Sequence, residues 1–206
     1  MTITETPVAA ALALDPASQD LLFRSARTAN SFTGEPVGEE QVRAIMDLVR
    51  WAPTAMNTQP LRVTLVRSAE GRERLVRHMA PGNQAKTAAA PLVAVLTADR
   101  EFHETLAELV PHNPKARDAF AGDAAKREHV ATFNATLQMA YFIIGVRAAG
   151  LAAGPMGGFD AAGIEAEFYP RGDRKVIAVV NVGRPAPDAY RPRAPRLDYE
   201  RVVDEV

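Results

Sequence analysis

The 206-residue chain contains no cysteine, which excludes a disulfide framework, a thiolate metal site and a cysteine nucleophile together. It also lacks charge of one sign: net charge is −1 and the pI is about 6.4. A near-neutral balance gives no basic field for nucleic acid or anionic lipid. No apolar run is long enough to span a bilayer. Met1 to Leu14 is alanine-rich but carries Glu5 and has no basic opening segment, so it reads poorly as a signal peptide. The expectation is a soluble, cytoplasmic protein with no nucleic-acid or membrane partner. His78, His103, His112 and His129 show no metal-ligand spacing, so no metal is expected. There is no Gly-x-Ser-x-Gly elbow, no Walker loop and no three-glycine dinucleotide fingerprint.

What is present is enough apolar residue, 47%, for one sizeable core. Glu39 to Ala52 reads as a helix, with Val42, Ile45, Met46 and Val49 at helical spacing. Leu61, Val63 and Leu65 alternate with Arg62 and Thr64, as in a half-buried strand ending near Val66. Ser68 is placed to cap a helix carrying Leu75, Val76 and Met79, and Pro81-Gly82-Asn83 reads as a turn. Pro91 to Ala98 and Lys175 to Val182 are apolar runs of strand length. Glu128 to Ala149 is the longest helix, closed by Gly150. Its stretch Ala140 to Val146 is apolar on all sides, which places it at the centre of the fold or at an interface. Asp160 caps a further short helix. These elements give an α+β or α/β class in one domain spanning 1–206. Residues 99–127 form a charged excursion, and 184–206 form a proline- and arginine-bearing C-terminal extension.

Five segments carry candidate chemistry. Trp51 to Pro60 is stiffened by Pro53 and Pro60 and bears Thr54, Asn57, Thr58 and Gln59 with no charge. It suits either an ordinary helix end or a neutral surface for a carbonyl- and amide-edged ring. Arg24 and Arg27 flank Ser25, Thr28 and Asn30, either a phosphate clamp or solvated arginines. Asn83 and Lys86 can donate to ligand carbonyls or stabilise a negative locus; otherwise they are solvated. Gly154-Pro-Met-Gly-Gly-Phe-Asp160 offers backbone N–H groups to a flat ligand, or is a tight turn before a capped helix. Arg193 and Arg196 lie in a stiff tail that can fold onto a phosphate or remain in solvent. Polar and phosphate-ready segments without a nucleophile or metal point to a cofactor that carries the chemistry.

Taken in order, these segments resemble the nitroreductase family of FMN-dependent oxidoreductases from about Leu21 to Tyr199. The carriers are Ala26-Arg-Thr-Ala-Asn30 with Phe32, Trp51-Ala-Pro-Thr-Ala-Met-Asn57 with Gln59-Pro60, Gly82-Asn83 with Lys86, Gly154-Pro-Met-Gly-Gly-Phe-Asp160, and Ala194-Pro-Arg-Leu197. The details look most like the short branch of malonic semialdehyde reductase-like proteins. The resemblance implies an α+β, nitroreductase-like fold: a central mixed β-sheet flanked by helices, with the long central helix at a homodimer interface. It implies FMN as cofactor and NADPH or NADH as hydride donor, in a ping-pong scheme with no catalytic side chain.

By the same resemblance, Arg27, Thr28 and Asn30 would hold the FMN phosphate, ribityl chain and ring edge. Asn83 and Lys86 would approach the pyrimidine end of the ring. Pro155, Met156, Gly157 and Gly158 would lie along it, and Arg196 with Arg193 would bind the phosphate. Thr54 and Asn57 would come from the partner subunit. Two departures stand out: Gly157 occupies a position where many members carry a carboxylate, and Thr54-Ala55 one where many carry two serines. The implied substrate is a small carbonyl such as malonic semialdehyde. The rivals are a broad-range nitroreductase or quinone reductase, and a non-catalytic flavin-binding module.

Overall fold

The structure is a computed structural model that describes residues 12–206; most of the stretch read for a signal peptide lies outside these residues. The first described helix is α1, Pro16–Gln19, capped by Asp15 and continued by a π-turn over Asp20–Arg24. Helix α2, Glu39–Val49, buries Val42, Ile45 and Val49, as its spacing predicts. It ends three residues sooner than expected, because Pro53 biases Ala52 away from helical backbone. Strand β1, Leu61–Val66, leads to α3, Ala69–Arg77, where the Ser68 hydroxyl accepts from the Gly71 N–H at 3.0 Å.

The expected turn at Pro81-Gly82-Asn83 is instead the first turn of helix α4, Pro81–Ala89. Pro81 sits at the first helical position, where its missing N–H costs nothing and its fixed φ suits the helix. Strand β2, Leu92–Asp99, is buried throughout. The excursion contains short helices only, α5 at Leu106–Leu109 and α6 at Asp118–Ala121, after a 3₁₀ turn at Phe102–Thr105. Helix α7 runs from Ala124 to Ala148, four residues longer at its start than expected because Asp123 caps it. Gly150 follows at φ 72°, the left-handed conformation of a helix stop. Strand β3, Ala152–Met156, was not expected. Helix α8, Ala161–Phe168, is capped by Asp160, and β4 spans Arg174–Gly183.

The strands lie in the order β1-β2-β4-β3, and every pairing is antiparallel, so the sheet is not mixed. Helices α2 and α7 cover one face; Val42, Ile45, Val49, Phe142 and Val146 pack there on Leu92, Leu96, Val180 and Val182. On the other face Leu75, Met79 and Ile164, from the α3 and α8 regions, pack on Val93, Val95 and Val179. Helix α7 contacts all four strands. A Cβ at Gly145 would lie 2.3 Å from a Val49 methyl, so only glycine allows α2 this close. Among the described residues no helix is long and apolar enough to cross a membrane.

Two polar residues on α7 are buried with this apolar face. The Asn134 Oδ1 accepts the Ala55 N–H at 2.7 Å, and the Gln138 Oε1 accepts the Leu61 N–H at 2.9 Å. One helical turn apart, they grip both ends of the loop before β1. Near the start of α7, Glu128 receives Lys175 Nζ at 2.7 Å and Arg100 Nε at 2.8 Å. These hydrogen bonds, Lys175 first, hold the Glu128 carboxyl below its ordinary value.

Asn134→Ala is expected to cost about 1–3 kcal/mol by removing the partner of the Ala55 N–H. An unchanged urea midpoint would show the grip to be dispensable. For Glu128, a lowered folded-state pKa means stability that is complete above the ordinary glutamate value of 4.5 and lost as pH falls through the folded value. Glu128→Gln should therefore lower the urea midpoint near neutral pH. Its deficit should close as the buffer is taken below about pH 4; a deficit independent of pH would contradict the assignment.

Candidate functional site

The Arg24 to Phe32 turn is pinned against β3. The Ala29 N–H donates to the Ala153 carbonyl at 3.0 Å, and a Cβ on Gly154 would stand 2.6 Å from the Ala29 carbonyl oxygen. The C-terminal extension returns to the same turn. The Asn30 N–H donates to Ala189 O at 2.9 Å, and its side-chain amide reaches Thr28 O and Ala189 O. Arg193 Nη2 donates to the carbonyls of Arg24 and Ala26, and Arg27 Nη1 donates to Arg191 O at 3.3 Å. The Arg27 guanidinium also lies 5.3 Å from the centre of the Tyr190 ring.

Arg147, near the end of α7, completes this cluster by donating to Leu22 O at 3.3 Å. Burial lowers its pKa, and the Arg193 charge pushes the same way against the Tyr190 phenol. Arg27 and Arg147 line a hollow of about 360 Å³ with Tyr190. Among the described residues Asp20, 3.7 Å from Arg24, is the one acidic side chain that pairs with this group. Several guanidiniums facing so little negative charge have the chemistry to receive a phosphate. Thr28 is exposed at its edge.

Beyond β3 the chain forms a glycine ledge. Gly158 O accepts both the Ala80 N–H at 3.0 Å and the Asn83 Nδ2 at 2.9 Å, which fixes the ledge to the start of α4. A Cβ at Gly158 would lie 2.8 Å from Asn83 Nδ2, whereas one at Gly157 would meet nothing within 4 Å. Among the described residues the N–H groups of Gly157 and Gly158 donate to no acceptor. Helix α4 puts Asn83 and Lys86 one turn apart on one side. Half-buried Lys86 has no partner for its ammonium among the described residues, while its carbonyl accepts Asn181 Nδ2 at 3.1 Å. Pro155 is half-buried and Met156 is buried against Thr87. Free N–H donors on an open ledge at one end of β3, with a cationic cluster at the other, fit an elongated ligand that carries a flat, carbonyl-edged ring and a phosphate.

The structure brings together Arg27, Thr28, Asn30 and Arg193, and places Asn83, Lys86 and Pro155 to Gly158 along the adjoining ledge. It does not bring Arg196 there: that guanidinium folds onto the Ala194 and Pro195 carbonyls. Thr54 and Asn57 are also elsewhere. Their loop enters β1, which is three strands from β3, roughly 14 Å across the sheet, and at the opposite strand end from Ala29. In that loop the Thr54 hydroxyl accepts the Gln59 N–H at 3.2 Å. Asn57 donates to Leu109 O at 3.1 Å and accepts from Gln59 Nε2. Met56, Asn57 and Gln59 all have positive φ, between 42° and 54°. Such left-handed backbone in non-glycine residues persists where surrounding contacts enforce it.

Arg147, Tyr190 and Asn181 were not singled out from the sequence. Arg147 and Asn181 are polar interruptions in apolar elements, and that was their only signal. The structure also gathers Glu101, His103 and Glu104 on the excursion, although their ligand atoms lie only within 4.8 Å of one another. Arg117 and Arg127 already pair with those carboxylates, which disfavours a cation there.

Residues 23–184 match the profile of the Nitroreductase family. A protein of Streptomyces coelicolor, provisionally named an NADH dehydrogenase/NAD(P)H nitroreductase, is 65% identical over 195 residues, covering 95% of this chain and 99% of its own. A Streptomyces griseus protein with the same provisional name is 64% identical over the same shares. A nitroreductase of Exiguobacterium sibiricum solved in complex with FMN superposes with a TM-score of 0.82 at 19% identity, covering 94% of this chain and 98% of that one. With a family match over most of its length and relatives this close, the chain belongs to the nitroreductase family.

Proposed function

We propose that the protein is an FMN-dependent NAD(P)H oxidoreductase that reduces a small carbonyl compound, working as a homodimer with two sites at the interface. The observation that carries this reading is the pairing of the Arg27–Arg193 cluster with the open Gly157–Gly158 ledge. Arg27 and Arg193 would hold the FMN phosphate, with Thr28 and Asn30 along the ribityl chain. Asn83 and Lys86 would meet the pyrimidine edge, where the unpaired ammonium favours negative charge. Pro155, Met156, Gly157 and Gly158 would lie along the ring. Bound there, FMN supplies hydride transfer, taken from NADPH or NADH and passed to an acceptor in alternating half-reactions.

The dimer has its own support. Phe133, Leu137 and Tyr141 recur every four residues on α7 and are 60%, 41% and 42% exposed. Leu48 and Trp51, from and just beyond α2, add to the same kind of apolar surface. Exposed apolar side chains on two neighbouring helices suit a second copy of the chain. It would allow Thr54 and Asn57 of the partner subunit to reach a ring they cannot reach in their own chain.

As substrate we favour malonic semialdehyde, reduced with NAD(P)H and a proton to 3-hydroxypropanoate and NAD(P)⁺. The support is the resemblance of the Ala26–Asn30, Gly154–Asp160 and Ala194–Leu197 segments to that branch. Glycine at 157, where many members carry a carboxylate, also leaves the ledge without a negative charge. A broad-range nitroreductase or quinone reductase is the second reading, favoured by the names of the Streptomyces relatives.

The purified protein is expected to be yellow, with the absorption bands of oxidised flavin; a colourless protein that takes up no FMN would overturn the reading. Arg27→Ala and Arg193→Ala should each weaken FMN retention about tenfold or more, for a charged contact worth roughly 1.5–3 kcal/mol. Arg196→Ala should weaken it less, and equal effects would place the phosphate elsewhere. NADPH consumption with malonic semialdehyde against a nitroaromatic separates the two substrate readings. Flavin without turnover on any acceptor would leave a binding module.

A further inference from the structure

A second cationic pocket lies on the sheet face away from α7, close to the loop that precedes β1. It is a hollow of about 490 Å³ lined by Arg62, Thr64, Tyr169, Arg171, Arg174 and one carboxylate, Asp173, with Phe168 and Pro170 as apolar wall. Two of its three arginines are committed. Arg62 donates to Gln59 O at 2.7 Å and to Leu61 O at 3.0 Å, and pairs with Asp99 at 2.9 Å. Arg171 pairs with Asp173 at 2.8 Å.

Arg174 is different. Its guanidinium makes no hydrogen bond among the described residues, and its nearest carboxylate oxygens, on Asp99 and Asp173, are each 3.7 Å away. Its side chain is only 21% exposed. Asp99 is thus shared between Arg62 and Arg174, and Asp173 between Arg171 and Arg174, leaving three cations to two carboxylates. Burial lowers the Arg62 pKa, and the Arg174 charge adds to that effect while Asp99 opposes it. A sheltered guanidinium whose two nearest carboxylates are beyond hydrogen-bond distance is costly unless an acceptor satisfies it. A planar two-oxygen anion matches that fork.

We propose that this hollow binds a small oxyanion, a carboxylate or phosphate group on a short molecule, with Arg174 as its principal ligand and Arg171 beside it. Arg174 pairs across the sheet with Asp99, whereas Met156 pairs with Val179, five residues further along β4. That separation, roughly 16 Å along the strand, makes the pocket distinct from the glycine ledge. Tyr169 contributes a rigid wall, its hydroxyl held by Thr64 Oγ1 at 2.8 Å. The apolar side formed by Phe168 and Pro170 suits a ligand with a short hydrocarbon body. The proposal does not depend on the function proposed above.

The test is isothermal titration of the protein as purified with sodium phosphate and, separately, sodium malonate, at ionic strength held constant with sodium chloride. The same titrations in the Arg27→Ala background remove any anion held by the other arginine cluster. Saturable binding of either anion is expected in both backgrounds, at one site per chain in the Arg27→Ala background, and the anion that binds identifies the source of the charge. Arg174→Gln should weaken it about tenfold or more. Arg171→Gln, at a side chain 81% exposed and so harmless to folding, should weaken it severalfold. No saturable binding to the parent protein, or affinity unchanged by both substitutions, would overturn the proposal.

Discussion

The path of the loop into β1 depends on two amide side chains inside an otherwise apolar interface. Asn134 and Gln138 are 2% and 8% exposed, on the helix that crosses all four strands. Burying an amide is unfavourable unless its hydrogen bonds are made. Here both carbonyl oxygens are used on N–H groups of the loop before β1, at Ala55 and at Leu61. The loop is thereby held at each end by a single rigid helix. Between those anchors three consecutive-region residues, Met56, Asn57 and Gln59, adopt positive φ. The helix and the strand around them keep that backbone from relaxing.

The elements with a clear periodicity or a continuous apolar run were legible in the sequence: α2, β1, β2, α7 and β4 all appear within a few residues of their expected bounds. Strand β3 was not, and the reason is physical. Gly154 and Pro155 disfavour a strand and read as a turn. The strand forms because it is an edge strand, where a proline without an N–H is tolerated, and because Gly154 lets the Ala29 carbonyl approach closely. Pro81-Gly82 misled in the opposite sense, since proline opens a helix as readily as a turn. That difference matters for the site: a turn would leave Asn83 and Lys86 loosely placed, whereas a helix fixes them one turn apart.

The residues of the candidate site were legible as types but not as a spatial set. Arginines at 27, 193 and 196 look equivalent in a sequence. What separates them is the path of the extension after Ala189, which brings Arg193 against Ala26 and turns Arg196 onto its own backbone. Arg147 could be read only as a polar break in an apolar helix, because its partner Leu22 lies 125 residues away. Long-range pairings of this kind follow from the fold and leave no local pattern.

The geometry of the loop and the cluster also sets what the proposed activity would require. Thr54 and Asn57 lie at the β1 edge of the sheet, whereas the Arg27 turn and the glycine ledge lie at the two ends of the opposite edge strand, β3, so a single copy cannot close all three around one ring. Helix α7 links the two requirements. Its inner side carries Asn134 and Gln138, which hold the loop, and one residue before each of them Phe133 and Leu137 face outward. A second copy docking on that outer stripe would press on the same helix turns that fix the loop. Under the proposed function, dimerisation and cofactor binding would then share one mechanical element, and loosening α7 at Asn134 would weaken both.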